Sequence, residues 1–125
     1  MTHELTLTVH KTNLLTLNGR QHRMAVARAT KVLRHAGAIN ARSQGLARMQ
    51  RARVVVWISW PDRRRRDAHN LYPTIKALVD GIVTDAGALP NDDDDHLIGP
   101  DLRRSADTSG IPGVTALRFV FEEQP

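Results

Sequence analysis

An almost unbroken run of β-branched and aromatic residues lies near the middle of the chain and constrains the fold more than any other segment. Val54–Ile58 contains no polar residue. Such a run is typical of a strand in the interior of a sheet. Pro61 ends it, because proline has no N–H for the strand ladder. The sequence therefore predicts a central strand over residues 53–60.

An amphipathic helix is predicted after this strand. Its apolar positions recur at helical spacing and form one face: Leu71, Ile75, Leu78, Val79, Ile82, Val83 and Ala86. Asn70 is predicted to cap the N-terminus, and Pro73 fits the first turn, where its missing N–H costs little. Gly87 favours a stop, so the predicted helix spans residues 71–86.

The N-terminal part of the chain predicts one strand and one helix. Residues 5–9 alternate leucine or valine with threonine, which indicates a half-buried strand. Residues 21–35 have the spacing of a helix. Residues 38–50 are weakly patterned, so they either continue this helix or form a loop.

Two short strands are predicted near the C-terminus, at residues 96–98 and 114–121. A chain of 125 residues is long enough for one domain with a modest core. We therefore predict an α/β (α+β) fold, a single domain over residues 1–125. It has a mixed sheet, two main helices and the element order β-α-β-α-β-β.

The composition excludes several classes of protein. The chain has no cysteine, which excludes disulfides and cysteine-ligated zinc. No apolar run approaches the roughly 20 residues of a membrane span, and the N-terminus lacks the pattern of a signal peptide. We therefore expect a cytoplasmic protein with no membrane partner.

Positive charge is concentrated in the first half of the chain. Residues 1–66 hold 14 Lys/Arg and 2 Asp/Glu, a net charge of +12, whereas residues 67–125 hold 4 and 11, a net charge of −7. A segregated basic half predicts a polyanion-binding surface, with nucleic acid as the leading candidate. The candidate contacts are a stripe on the first helix and a run before Asp67: Arg20, Arg23, Lys31 and Arg34, then Arg63, Arg64, Arg65 and Arg66. The alternative for the helix stripe is a solvated face without a ligand.

Carboxylates on both sides of the second helix suggest a magnesium site. Asp67 follows the central strand, and Asp92 and Asp93 begin an aspartate run after the helix. Carboxylate-held magnesium stabilises charge during phosphodiester hydrolysis. The alternatives are that Asp67 only caps the helix and that the aspartate run is a solvated acidic loop.

The distance between Asp67 and Asp92 tests whether they can share one magnesium ion. A helix over residues 71–86 is about 24 Å long. The segment from Gly87 to Asp92 reaches back only about 17 Å when extended. Asp92 therefore approaches Asp67 only if the loop runs back along the helix, if the helix is shorter, or if two subunits share the site.

Lys76 and Asp80 lie four residues apart on the polar face of the same helix. They form either a surface ion pair or, in a functional interpretation, a site where Lys76 contacts a scissile phosphate. Trp57 and Trp60 either stack on bases or belong to the core or an interface.

These residues together resemble the RusA family of Holliday junction resolvases, which are phage- and prophage-type endonucleases. The resemblance covers residues 5–121 and is most specific over residues 63–93. It rests on the following segments: Leu17–His22, Arg64-Arg65-Arg66-Asp67-Ala68-His69-Asn70-Leu71, Lys76, Asp80-Gly81, Ala86-Gly87 and Pro90-Asn91-Asp92-Asp93.

The resemblance implies a homodimer that binds four-way DNA junctions and cuts them symmetrically with Mg²⁺, for which Mn²⁺ is a possible substitute. In that family, the catalytic acids lie in an Asp-x-Asp-Asn motif and a later Asp-Asp pair. Asp67 matches the first acid, and Asp92 matches the last, with Asp93 in reserve. Asn70 matches the motif asparagine and is expected to contact DNA. Lys76 is the counterpart of the functional lysine, although it lies three residues further from the asparagine.

Asn91 stands in place of the first aspartate of the later pair, and one further departure matters more. The middle acid of the motif is His69 here. Histidine can bind a metal ion but is a poorer ligand for magnesium than a carboxylate. The leading hypothesis is a magnesium-dependent endodeoxyribonuclease acting on branched DNA, with His69 as a fourth metal ligand. The alternatives are a junction-binding protein with weak or no cleavage and a basic structural protein.

Overall fold

Six regular elements follow one another in the order β-α-β-α-β-β, as the sequence predicts. The structure, a computed structural model, describes all residues from 1 to 125. The elements are β1 (Thr2–His10), α1 (Arg23–Ser43), β2 (Ala52–Ser59), α2 (Tyr72–Asp80), β3 (Leu97–Arg104) and β4 (Val114–Glu123). Two short 3₁₀ helices, Lys11–Asn13 and Ala68–Leu71, and a π-helical turn, Gly81–Asp85, complete the helical segments.

The four strands form one mixed sheet in the order β1-β4-β2-β3. β2 pairs parallel with β3 and antiparallel with β4, so the prediction of a central strand is confirmed. Val54, Val56 and Ile58 are fully buried, whereas Val55 and Trp57, on the other face of β2, are half-buried. This alternation indicates that the helices cover one face of the sheet and leave the other open.

The core lies between the covered face of the sheet and the two helices. Its largest fully buried side chains come from every part of the chain: Leu5, Leu33, Ile58, Leu71, Ile75, Leu78, Ile82, Phe119 and Phe121. None of the helices combines the length and the apolar character that crossing a membrane requires.

Two glycines allow α1 to cross closely over α2 and the turn that follows it. A Cβ atom on Gly37 would overlap the carbonyl oxygen of Leu78, and one on Gly81 would overlap that of Arg34. Backbone atoms therefore meet directly at this crossing, and no other residue type fits there without moving a helix.

Two predicted boundaries are wrong, and one that the sequence left open is now decided. α1 continues to Ser43, so the first part of residues 38–50 extends the helix; the small buried residues Ala38 and Ala41 pack there without a large apolar periodicity. β3 extends to Arg104 rather than ending at residue 98. Its second half is polar and shows no strand pattern in the sequence, but an edge strand tolerates polar residues. The regular part of α2 ends at Asp80, and a π-helical turn carries the chain on to Asp85.

Candidate functional site

Asp67 caps the 3₁₀ helix that precedes α2. Its Oδ1 accepts a hydrogen bond from the backbone N–H of His69 at 3.0 Å. Asp67 therefore does cap a helix, while its role as a metal ligand stays a prediction. Its second oxygen makes no hydrogen bond within the chain and remains available, and the residue is exposed.

Asn70 ties the N-terminal loop to the start of α2. Its side-chain oxygen accepts from the N–H of Asn18 at 3.2 Å, and its backbone carbonyl accepts from the N–H of Leu17 at 2.9 Å. The prediction that Asn70 caps the helix is wrong, because Asn70 lies inside the 3₁₀ turn that Asp67 caps, and Leu71 stands at the N-cap of α2. Asn70 instead fixes the distance between the loop and the helix.

The four consecutive arginines are not equivalent. The Arg66 guanidinium binds Asp62 at 2.6 Å and lies over the Trp60 ring, 5.0 Å from its centre. Arg63 reaches a backbone carbonyl at 3.4 Å. The side chains of Arg64 and Arg65 are exposed and make no hydrogen bond or ion pair within the chain. These two are the free cations of the run.

Asp62 holds this run in place. The Arg66 side chain and, after it, the backbone N–H of Arg64 lower the pKa of Asp62 to about 2. The carboxylate therefore stays charged at any pH above that value, and it fixes the loop between β2 and the 3₁₀ helix. The Arg66 guanidinium pairs with Asp62 and packs on Trp60, so it is less available to bind a ligand than Arg64 and Arg65 are.

The basic stripe on α1 also divides into bound and free residues. Arg34 forms a two-pronged ion pair with Asp85, at 2.7 and 2.9 Å. This pair lowers the pKa of Asp85, chiefly through the hydrogen bonds from Arg34. Arg20, Arg23 and Lys31 are exposed and have no ion pair within the chain.

The Lys76 ammonium joins two carboxylates. Its Nζ lies 2.5 Å from Oδ1 of Asp80 and 3.3 Å from Oδ2 of Asp92. Partial burial alone would lower the pKa of Lys76, but the two carboxylates outweigh it and raise this pKa above its usual value. The ion pair with Asp80 is thus confirmed, and Asp92 joins it from a different segment.

The contact between Lys76 and Asp92 also defines the path of the loop after α2. The loop runs back along the helix, and the regular helix is shorter than predicted. Asp93 lies at a turn, where its Oδ1 accepts from the N–H of Asp95 at 3.1 Å. Asp92 therefore reaches the middle of α2, while Asp67 lies before its first turn.

The predicted metal ligands do not assemble into one cluster in the single chain. No three His, Asp or Glu side chains lie close enough together to hold a metal ion, so Asp67, His69, Asp92 and Asp93 do not form a common ligand set. The His69 ring stacks instead on Tyr72, with ring centres 6.0 Å apart.

The donor set nevertheless fits a magnesium ion that takes few protein ligands. Asp67, Asp80 and Asp92 each keep one carboxylate oxygen without a hydrogen bond. The oxygens of Asp80 and Asp92 that share the Lys76 ammonium lie less than about 6 Å apart. Magnesium commonly takes one or two protein carboxylates and completes its shell with water and phosphate.

Two adjoining clefts line up along the 3₁₀ helix and α2, and we call them together the α2 groove. The first, of about 530 Å³, includes Arg65, Asp67 and Asn70, and the second, of about 440 Å³, includes Tyr72, Pro73, Lys76 and Asp80. Loop residues 14–21 form the opposite wall, and Thr16 lines both clefts. The groove therefore runs from the free Arg65 to Lys76 and Asp80.

No protein-family model matches the chain, and no curated protein matches it. The function is therefore inferred from the groove. The sequence pattern indicated Asp67, Lys76 and Asp92 as site residues but assigned Asp80 only to an ion pair. The four-residue spacing of Asp80 from Lys76 is visible in the sequence, whereas nothing there brings Asp92 to the same ammonium.

Proposed function

We propose that the protein is a magnesium-dependent endodeoxyribonuclease that acts on four-way or otherwise branched DNA. The observation that carries the proposal is the Lys76 ammonium between the carboxylates of Asp80 and Asp92, in a groove that also holds Asp67. The free Arg65 lies at one end of that groove, and Arg64 precedes it in the chain. The resemblance of residues 63–93 to the RusA family supports the same reaction.

The groove supplies the groups that phosphodiester hydrolysis needs. Arg64 and Arg65 bind backbone phosphates, and Lys76 binds a non-bridging oxygen of the scissile phosphate. Asp92, with Asp80 beside it, would hold magnesium, and Asp67 offers a free carboxylate oxygen in the other cleft of the groove; Mn²⁺ is expected to substitute because it takes the same oxygen ligands. A bound ion would stabilise charge on the phosphate and lower the pKa of an attacking water.

Lys76 also links phosphate binding to the acids. Its ammonium donates hydrogen bonds to two carboxylates, and an incoming phosphate would compete with them for the same N–H donors. Substrate binding would then release carboxylate oxygens at the moment when the ion needs them. The Lys76 ammonium is charged at neutral pH, since the carboxylates raise its pKa further above an already high ordinary value.

Symmetric cleavage of a four-way junction needs two active sites, so the proposal includes a homodimer. The open face of the sheet supports it, because Val55 pairs with Val120 there and both remain half-buried. Trp57 lies beside them, under the guanidinium of Arg118 at 5.9 Å. Sedimentation of the free protein at twice the chain mass is expected, and a monomer at micromolar concentration would contradict this part.

A second candidate is a junction-binding protein that does not cut. The observation in its favour is that no three ligands converge, together with His69 where the family has a carboxylate. Cleavage separates the two candidates. A labelled four-way junction is incubated with the protein in Mg²⁺ or in EDTA; products that appear only with Mg²⁺ support the nuclease, and binding without products supports the alternative.

The free and the paired arginines are expected to differ in their contribution to DNA binding. Replacing Arg65 by alanine removes one phosphate contact and lowers the slope of log K against log salt by about one unit. Arg66→Ala should change the slope much less, because Arg66 already neutralises Asp62. Junction affinities measured between about 50 and 200 mM salt, where phosphate contacts dominate the change in affinity, test this. Equal slopes for the two variants would contradict it.

A further inference from the structure

Two aromatic rings form a stacked pair beside the α2 groove. The His69 and Tyr72 ring centres lie 6.0 Å apart, and their planes meet at 27°. His69 is exposed, and Tyr72 is half-buried and lines the second cleft. A partly exposed aromatic surface therefore lies at the second cleft, next to the turn that Asp67 caps.

The local backbone explains why these two rings meet. Residues three apart in a 3₁₀ turn lie over one another, and His69 and Tyr72 lie at the end of such a turn. The Asp67 carboxylate binds the N–H of His69 at 3.0 Å, and Pro73 follows Tyr72 at the start of α2. The pair is therefore held by a capped turn on one side and a rigid helix start on the other.

Aromatic rings beside a phosphate-binding groove fit one class of ligand well. Nucleic-acid bases stack on aromatic side chains, and every base offers a face regardless of sequence. Bases within a duplex are already stacked on their neighbours, whereas bases at a branch point are unstacked at lower cost. A ring pair that stacks a base therefore favours branched over linear DNA.

We propose that the His69–Tyr72 ring pair stacks a base that leaves its neighbours at the branch point of the DNA. This inference rests on the proposed function and adds to it the element that selects branched DNA. Lys76 lines the same cleft as Tyr72, and Arg65 lines the adjoining cleft, where they can contact the backbone that flanks a stacked base. The inference also assigns the His69 ring to base stacking and no longer to metal binding.

The test measures affinity in EDTA for a four-way junction and for a linear duplex of the same sequence. A junction with 2-aminopurine at the branch point reports stacking by its fluorescence. We expect His69→Ala and Tyr72→Leu to lose about 5- to 150-fold in junction affinity, the range for loss of one stacked base, with duplex affinity unchanged. The wild type should quench the 2-aminopurine, and these variants should not.

Variants that keep a ring decide between stacking and metal binding. His69→Phe and Tyr72→Phe should retain junction preference and quenching, because each preserves an aromatic face. His3→Ala is the matched control for loss of one imidazole, since His3 pairs with Glu123 far along the sheet. Circular dichroism confirms that each variant is folded before it is assayed.

Two outcomes would overturn this inference and leave the proposed nuclease function untouched. One is His69→Ala retaining wild-type junction preference and quenching. The other is His69→Phe losing Mg²⁺-dependent cleavage as fully as His69→Ala, which would identify the imidazole as a ligand. A wild type that binds the junction no better than the duplex overturns the proposed function together with the inference.

Discussion

Replacing Asp92 by asparagine is expected to slow cleavage of a four-way junction in Mg²⁺ by about 100-fold or more, the scale of losing one charge-stabilising group. Asparagine has the same shape and still offers Lys76 an oxygen, so the fold of the loop is preserved. Binding in EDTA should be unchanged or slightly tighter, because one negative charge is removed. Single-turnover cleavage and gel-shift binding measure the two quantities.

Asp67→Asn should have an effect of the same size for the same reason. Asparagine caps helices as well as aspartate does, so the hydrogen bond to the N–H of His69 survives. Asp94→Asn is the matched control, because Asp94 is exposed and its side chain makes no hydrogen bond or ion pair. Cleavage by Asp67→Asn or Asp92→Asn at the rate of Asp94→Asn would contradict the assignment of the acids.

Replacing Gly81 by alanine is expected to lower the free energy of unfolding by about 3 kcal/mol or more, at the upper end of overpacking effects. A methyl group there would overlap the Arg34 carbonyl oxygen, a backbone atom that cannot move aside alone. α1 and the turn after α2 would have to separate. Urea unfolding followed by circular dichroism measures the loss.

Gly45→Ala is the control for this substitution. Gly45 has a φ of +67°, and a Cβ atom added to it would have no neighbour within 4 Å, so alanine there meets strain but no clash. The expected cost is about 1 to 2 kcal/mol. Equal losses at Gly81 and Gly45 would show that close helix contact is not what holds α1 against this turn.

The parts of the fold that the sequence predicts are those with a strong local pattern. Residues 54–58 form an interior strand because their β-branched run is unbroken, and Pro73 lies in the first turn of α2 as expected. The second half of α1 has no such pattern, since its packing depends on small residues such as Gly37 and Ala41. Most of β3 escapes prediction for a related reason, because edge pairing needs little apolar character.

In the candidate site, too, only the contacts between residues close in sequence could be predicted. The spacing of Lys76 and Asp80 is local, so their ion pair is predictable from the sequence. The return of Asp92 to Lys76 and the pairing of Arg34 with Asp85, 51 residues away, depend on tertiary structure. Charge counting does not separate the free Arg65 from Arg66, because that difference arises from contacts that Arg66 makes in the folded loop.

Cleavage of a labelled four-way junction by the wild-type protein, measured against Mg²⁺ concentration, tests the central claim most directly. We expect paired cuts in opposite strands near the branch point, a rate that rises with Mg²⁺ and no products in EDTA. A linear duplex of the same sequence should be cut far more slowly. Tight junction binding without cuts at any Mg²⁺ or Mn²⁺ concentration would contradict the assignment of this protein as a nuclease.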